Sequence, residues 1–387
     1  MYKQQGGNKE VYKRLNRGLL LKLLATGQCT SRVELSRVMG LSKMAISNMV
    51  AELMALDLVS EGAVEQNEEL GRNPIQLRIS PNAPKVAGLF IFRGRCEVVL
   101  CDLTLQVMER RDFRFTNITK EELLEKIFEM TDEVLQGAGK VAGIGVASIG
   151  PLDISKGVIL NPMYFHGIEN IPIVHLLEER YHLPAFLESD NQCGVLAEKL
   201  YGNGRDFTDI IMIGVGLGVG CGIIVDDELY RNQQKLVPEF GHISIDYRGN
   251  TCICGCRGCV ETYIGTPILL ERLRSATGSE DTFEQFCKRS SEPFVYHILA
   301  DAIDKLSIAV VNMVNLLNPK LILLGHDAAY YPDELIALLE KKVNDRRFAP
   351  HAAPIQIKRP HFMLDAQLMG TVCLINRQVF KGNLPYG

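Results

Sequence analysis

Apolar residues recur every three or four positions through the first sixty residues of the chain, which is the spacing of amphipathic helices. The pattern predicts three helices separated by turns. Gly27 ends the first helix, and an S-x-x-E capping box of Ser31 and Glu34 begins the second. Gly40 ends the second helix, and Ser42 caps the third.

The helices divide apolar and polar residues between their faces. We expect apolar contacts from Val33, Leu35 and Val38 in the second helix and from Ile46, Met49, Val50, Leu53 and Leu56 in the third. The early outer face of the third helix carries Ser42, Lys43, Ala45, Ser47 and Asn48. Small and polar side chains of this kind suit contact with base edges in the major groove of DNA.

Two short strands are predicted after the third helix, around the tip Gly71-Arg72-Asn73-Pro74. This is typical of a wing, and Arg72 suits a narrow minor groove. Residues 1–60 hold nine Lys and Arg against four acidic residues, although the net charge of the whole chain is −4. Helix order, wing and basic charge predict a winged helix-turn-helix DNA-binding domain over residues 1–80. The alternative is a generic interaction module.

From Pro81 onward, apolar strand-like segments alternate with long amphipathic helices, which is the pattern of an α/β domain. The 387 residues are 47% hydrophobic, enough for a large core in two or three domains. The N-terminus is polar and basic, and no segment approaches the roughly 18 uninterrupted apolar residues of a membrane span. We therefore expect a cytoplasmic protein whose eleven cysteines are reduced, so that a dense cluster of them indicates metal binding.

Four segments, "LESDNQCGVLAEKLYG", "GLGVGCGIIVDDELYRN", "PEFGHISID" and "CICGCRGCVETY", resemble the ROK family (repressor, open reading frame, kinase). The resemblance implies an α/β, two-lobed, actin-like (ribonuclease H-like) sugar kinase fold after the winged helix-turn-helix. We expect this sugar-binding domain over residues 81–387. Its small lobe comprises about residues 81–190 plus the C-terminal helix, and its large lobe about residues 191–368.

Four cysteines fall within eight residues, "CICGCRGC". Zinc prefers four tetrahedral nitrogen and sulfur ligands, and His242 is close enough in the chain to complete a set with Cys252, Cys254 and Cys259. An all-cysteine site that includes Cys256 is the alternative, although four thiolates from one octapeptide could hardly surround an ion without strain. The resemblance implies that one histidine and three cysteines hold a structural zinc beside a sugar pocket, away from DNA.

The resemblance also implies the residues of that sugar pocket. In the family's kinases the Asp of an E-N-D segment takes a proton from a sugar hydroxyl, and "ESD" keeps it as Asp190. Glu239 and His242 of "EFGH" and Glu261 of "CVE" match residues that hold sugar hydroxyls. Carboxylates and imidazoles suit a polyol because they accept or donate hydrogen bonds from fixed positions. Tyr164 stands where Asn is usual, which leaves the identity of the sugar open.

The positions that would bind the phosphates of ATP depart from the family pattern. The D-x-G-G-T segment is replaced by "FIFRGR", in which Phe90 stands for the Asp and Phe92 and Arg93 for the glycines. Val215 replaces a Thr, and His326 replaces a glycine in "LLGH". These three losses predict ligand binding without catalysis.

Together these features predict a sugar-responsive transcriptional regulator that represses carbohydrate-utilisation genes. It would bind operator DNA as a homodimer or homotetramer, because closed symmetry is the default for oligomers, and be released by a sugar or sugar phosphate. The alternative is an active ATP-dependent sugar kinase with an accessory DNA-binding domain.

Overall fold

The fold is that of a computed structural model, and it is described for residues 9–64, 75–231, 237–349 and 351–384. In these ranges the helices are α1 (Lys9–Ala25), α2 (Arg32–Met39), α3 (Lys43–Ala55), α4 (Lys120–Leu135), α5 (Ile173–Tyr181), α6 (Asp190–Tyr201), α7 (Glu261–Ile264), α8 (Thr266–Thr277), α9 (Phe283–Lys288), α10 (Pro293–Leu317), α11 (Asp333–Arg346) and α12 (Ala366–Phe380). The strands are β1 (Val59–Val64), β2 (Ile75–Ile79), β3 (Lys85–Phe92), β4 (Arg95–Cys101), β5 (Val107–Arg114), β6 (Val141–Ser148), β7 (Leu152–Asp153), β8 (Val158–Ile159), β9 (Ala185–Ser189), β10 (Ile210–Val215), β11 (Val219–Val225), β12 (Glu228–Leu229), β13 (Leu321–His326) and β14 (Gln356–Lys358). Among these helices, none is both long and apolar enough to cross a membrane.

The chain folds as two compact units. The first comprises Met1–Glu188 and Thr371–Gly387, and the second Ser189–Gly370.

The first unit begins with three helices and a two-stranded sheet. Ser42 caps α3 by accepting a hydrogen bond from the backbone amide of Ala45 at 3.2 Å. The apolar face of α3 is buried, with Ile46 and Leu53 both 0% exposed. Strands β1 and β2 pair antiparallel. The tip between them, including Arg72, lies outside the described residues.

Three apolar residues of this module lie at the surface, so the prediction that they make core contacts is wrong. Val33 and Val38 are 59% and 54% exposed, and Leu56 is 49% exposed. Helix α2 has eight residues and buries Leu35, because two turns leave room for a single apolar stripe. Leu56 is the C-cap of α3, where the chain leaves the helix.

A five-stranded mixed sheet forms the centre of the first unit, in the order β5-β4-β3-β6-β9. Strand β3 runs antiparallel to β4 and parallel to β6. Apolar residues of this sheet, such as Leu89 and Val146, share one buried cluster with Leu123 and Ile127 of α4. This burial fixes α4 to one face of the sheet.

A second five-stranded mixed sheet, in the order β12-β11-β10-β13-β14, forms the centre of the second unit. Strand β10 pairs antiparallel with β11 and parallel with β13, so that Val215 lies beside both Val219 and His326. Ile213 of this sheet shares a buried cluster with Leu306 of α10 and with residues of α8 and α11. The loops at this end of β10 and β13 carry the candidate site.

Helix α12 contributes its first residues to the second unit and the remainder to the first. A methyl group on Gly370 would lie 2.0 Å from the carbonyl oxygen of Cys193 in α6. A methyl group on Gly18 of α1 would lie 2.1 Å from the carbonyl oxygen of Phe380 at the end of α12. Near each end, α12 therefore packs against another helix so closely that the contact has no room for a Cβ atom. Glycine is needed at both contacts.

Candidate ligand and metal site

Asp190 is the first residue of α6 and lies at the centre of the candidate ligand site. Its Oδ1 accepts hydrogen bonds from the backbone amide of Asn191 at 2.7 Å and from Asn191 Nδ2 at 3.1 Å. Its Oδ2 lies 3.1 Å from Nε2 of His326. The carboxylate is therefore held in one orientation, while 13% of its side chain stays accessible.

His326 ends β13 in an unusual backbone conformation, with φ 53° and ψ −138°. Residues with a Cβ rarely adopt such angles, and the cost is about 1–3 kcal/mol. Gly214 on the neighbouring strand makes room for the side chain, because a methyl group there would lie 2.5 Å from His326 Cδ2 and 2.1 Å from Asn191 Oδ1. The side chains of His326 and Asn191 therefore occupy the space that Gly214 leaves open beside the glycine-rich hairpin.

Glu239 and Glu261 add two more carboxylates to the site. Oε2 of Glu261 accepts a hydrogen bond from the backbone amide of Val219 at 2.8 Å, which ties α7 to β11. Solvent reaches the side chain of Glu239, but the surrounding protein reduces its hydration, and this is the main cause that raises its pKa above the ordinary value. His242 opposes this rise, whereas the charges of Glu261 and Asp190 add to it. The charges of Glu261 and Asp190 therefore act on Glu239.

A second cluster, the metal group, consists of His242, Cys252, Cys254 and Cys259. Their potential ligand atoms all lie within 4.8 Å of one another. Cys252 Sγ is 3.5 Å from His242 Nδ1, and Cys254 Sγ is 3.6 Å from Cys259 Sγ. Tetrahedral zinc with zinc–sulfur bonds of about 2.3 Å places its sulfur ligands roughly 3.8 Å apart, so these spacings fit the ion. Cys256 lies outside the metal group.

The chemistry of the metal group suits a soft divalent cation. Hydrogen bonds, the largest from the backbone amide of Cys256, lower the pKa of the Cys254 thiol to about 7. This favours the thiolate of Cys254, which is the form that binds metal, whereas burial raises the pKa of the Cys259 thiol to about 12. One nitrogen and three sulfur donors are the ligands of a structural zinc site, and the group could hold that ion.

The candidate DNA-contacting residues lie together at the start of α3. Ser42, Lys43 and Asn48 are exposed, and Ala45 and Ser47 are half-buried. Sequence reasoning missed Met44, which is 72% exposed among them. The sequence does carry a signal for it, because Met44 is a large apolar residue outside the helical spacing of the buried residues of α3.

Part of the basic charge of this module is used internally. Lys13 Nζ of α1 lies 2.7 Å from Oε1 of Glu52 in α3. Arg17 pairs with the same carboxylate and donates from Nε at 2.8 Å. These two cations hold α1 against α3, so the basic excess counted in the sequence overstates the charge facing a polyanion.

Two of the large residues that we expect to obstruct nucleotide binding, Phe90 and Arg93, make contacts within the fold. Phe90 is 1% exposed within β3, and the guanidinium of Arg95 lies 5.4 Å from its ring centroid. Arg93 Nε donates to the carbonyl of Met163 at 2.8 Å. Tyr164, the next residue, is 75% exposed.

Sequence reasoning did not identify the contact between His326 and Asp190, which are 136 positions apart in the chain. The sequence shows a histidine at the end of an apolar strand, and this position predicts only an obstruction to nucleotide binding. The parallel pairing of β10 with β13 is what carries His326 to the start of α6.

The fold and these clusters define the class of protein. The chain belongs to the ROK family, whose model matches residues 88–378. It is 25% identical to a putative xylose repressor of Caldicellulosiruptor sp. (strain Rt8B.4), in an alignment that covers 95% of this chain and 97% of that protein.

Solved structures confirm the predicted fold, a two-lobed actin-like kinase fold preceded by a winged helix-turn-helix. A ROK family transcriptional regulator, a homolog of the E. coli MLC protein, matches with a TM-score of 0.81 at 22% identity, covering 96% of this chain and 98% of that chain. A ROK hexokinase from Thermus thermophilus matches with a TM-score of 0.65 at 23% identity, covering 75% of this chain and 97% of that chain.

Proposed function

We propose that this protein is a sugar-responsive transcriptional repressor. The observation that carries the proposal is the combination of the N-terminal three-helix module with a ROK domain in one chain. The match to a transcriptional regulator extends over 96% of the chain, whereas the match to a hexokinase covers 75%. The xylose repressor likeness over 95% of the chain supports the same function.

The proposed effector is a sugar bound in the second unit. Asp190, Glu239, His242 and Glu261 would hold its hydroxyl groups. The fixed orientation of the Asp190 carboxylate supports this role, since a polyol is recognised by acceptors and donors at set positions. The influence of Asp190 and Glu261 on the pKa of Glu239 supports the convergence of these residues on one ligand.

The proposed metal is a structural zinc held by His242, Cys252, Cys254 and Cys259. When bound, zinc would supply a covalent-like link between the segment around His242 and the cysteine loop. The His242 and Cys252 contact already joins these two segments in the fold. Glu261 lies two residues after Cys259, so the metal group would set the position of a residue proposed to bind the sugar.

The proposed DNA contacts come from Ser42, Lys43, Ala45, Ser47 and Asn48 in the major groove and from Arg72 in the minor groove. Two copies would read a roughly palindromic operator as a homodimer, or four as a homotetramer, because protein symmetry is mirrored in the site. The exposure of Lys43 and Asn48 at the start of α3 supports this arrangement.

The test is selection of bound DNA from a random duplex library by the full-length protein. We expect enrichment of a palindromic sequence, and loss of its binding when D-xylose, D-glucose or N-acetylglucosamine is added in turn. Fluorescence anisotropy at fixed salt measures the affinity, since protein–DNA affinity is strongly salt-dependent. Absence of any enriched sequence would refute the proposal.

An active sugar kinase is the second candidate, because Asp190 is present and a hexokinase matches 75% of the chain. Against it, Asn191 and His326 fill the space beside Gly214. A base without a positioned phosphoryl donor has nothing to react with. A coupled assay with ATP and these sugars should show no sugar-dependent turnover. Turnover that disappears in Asp190→Ala would establish the kinase.

A further inference from the structure

His326 has an unfavourable backbone conformation. It stands where the family pattern has a glycine, so the sequence alone indicates only the loss of that glycine. Its φ of 53° and ψ of −138° suit glycine, yet the side chain is a large imidazole. Strain of this kind persists where the surroundings enforce it and is concentrated at functional sites. The surroundings here are Gly214, which leaves room for the ring, and Asp190, which receives it.

The imidazole and the carboxylate together form an accessible polar pair. The side chains of His326 and Asp190 are 14% and 13% exposed, so each keeps an edge toward solvent. Asn191 holds Oδ1 of Asp190, and His326 holds Oδ2. A hydroxyl that reached the pair could donate to the carboxylate and interact with the imidazole at the same time.

The charge around this pair is negative. Glu261 lies on the same side of the hairpin, because its Oε2 accepts a hydrogen bond from the amide of Val219, and Val215 pairs with both Val219 and His326. Asp327, the neighbour of His326, adds a carboxylate that accepts a hydrogen bond from Thr266 at 2.7 Å. A phosphate group carries about −1.5 to −2 charge at neutral pH, so it would be repelled at this position. A neutral hydroxyl meets no such penalty.

We propose that His326 and Asp190 jointly bind one hydroxyl of an unphosphorylated sugar, and that His326 determines the preference for the free sugar over its phosphate. The inference rests on the proposed sugar-binding function and specifies its ligand class. The imidazole occupies the space beside Asp190 that a phosphate on that hydroxyl would need. It also supplies a hydrogen-bonding partner on the side of the pair opposite Asn191.

Isothermal titration calorimetry on the full-length protein tests this inference. The probes are D-xylose, D-glucose, glucose 1-phosphate, glucose 6-phosphate, N-acetylglucosamine and its 6-phosphate. We expect the wild type to bind at least one free sugar and to bind every phosphate more weakly than its parent. His326→Gly should weaken binding of that sugar by about tenfold or more, as expected for a lost hydrogen bond in a charged network, and should reduce the preference over the phosphate.

Two further variants separate ligand binding from folding. His326→Gly should keep or raise the melting temperature, because glycine adopts a positive φ without strain. His326→Gln, which keeps a donor at a similar reach, should recover part of the sugar affinity. His175→Gln is the matched control, since His175 is 72% exposed on α5, and it should bind sugar as the wild type does.

Each outcome bears on one of the two proposals. Unchanged sugar affinity in His326→Gly, or tighter binding of a phosphate than of its parent sugar by the wild type, would overturn the role of His326 while leaving a sugar-responsive regulator intact. A wild type that binds none of the free or phosphorylated sugars would overturn the sugar-responsive function, and this inference with it.

Discussion

Cys256 gives the metal group an internal control at the scale of single residues, because it belongs to the same octapeptide as three members of the group but lies outside it. We expect purified wild-type protein to contain one zinc ion per chain. His242→Ala and Cys259→Ser should lose the zinc and melt at a lower temperature, because a structural metal contributes folding free energy. Cys256→Ser should keep both. Elemental analysis and thermal unfolding measure the two properties.

The reverse result would identify a different site. If Cys256→Ser lost zinc and His242→Ala retained it, the four cysteines would be the ligands, which is the alternative that the sequence left open. A folded wild-type protein without zinc would contradict both versions.

At the scale of helices, Lys43 and Asn48, both exposed on α3, should determine which bases the protein prefers. Asn48→Ala should change which bases the protein prefers, at about 1–3 kcal/mol for the affected position, because an amide can read a base edge. Lys43→Ala should change preference as well, because an ammonium in the major groove can donate to a base edge. Binding to a library of operator variants at several salt concentrations measures both effects.

Arg37, exposed in the last turn of α2, serves as a comparison. If it contacts phosphate, Arg37→Ala should weaken all operators to a similar extent and reduce the slope of log affinity against log salt. Asn48→Ala binding all operator variants with wild-type preference would contradict the assignment of α3 as the recognition helix.

The contact between α1 and α12 predicts a packing defect. Replacing glycine by alanine inside a helix gains at most about 1 kcal/mol of intrinsic propensity. In Gly18→Ala the new methyl would lie 2.1 Å from a backbone carbonyl oxygen, which cannot rotate away. Overpacking of this kind costs typically about 1–3 kcal/mol, so the steric cost outweighs the gain and the melting temperature should fall. Gly62→Ala is the control, because its nearest neighbour would be 3.7 Å away, and it should melt close to the wild type.

Local sequence rules predicted the elements better than the contacts between them. Capping by Ser42 and burial of Ile46 and Leu53 depend on residues within two turns, and both were predicted. Val33 is exposed because α2 is short and buries Leu35 instead. The spacing of apolar residues within α2 does not reveal how many of them the fold can bury. The pairing of His326 with Asp190 depends on the sheet order, so no local pattern could predict it.

At the scale of the whole molecule, we propose that sugar binding and operator binding are coupled. His242 belongs to the metal group and is proposed as a sugar ligand, so a bound sugar would act on the cysteine loop. Helix α12 approaches α6 at its start and α1 at its end. Asp190 begins α6 in the second unit, and α12 has residues in both units.

Such coupling predicts that sugar and operator DNA weaken each other's binding by the same factor. A coupling free energy of about 1–3 kcal/mol corresponds to roughly 5- to 150-fold, and reciprocity is required because both are equilibrium affinities. Operator affinity would be measured by anisotropy with and without saturating sugar, and sugar affinity by calorimetry with and without operator. Asp190→Asn and Glu239→Gln should bind operator as the wild type does, because they weaken only the binding of the sugar. Their operator affinity should therefore no longer respond to the sugar. A sugar that binds yet leaves operator affinity unchanged would rule out the coupling, as would variants that lose sugar binding but still respond.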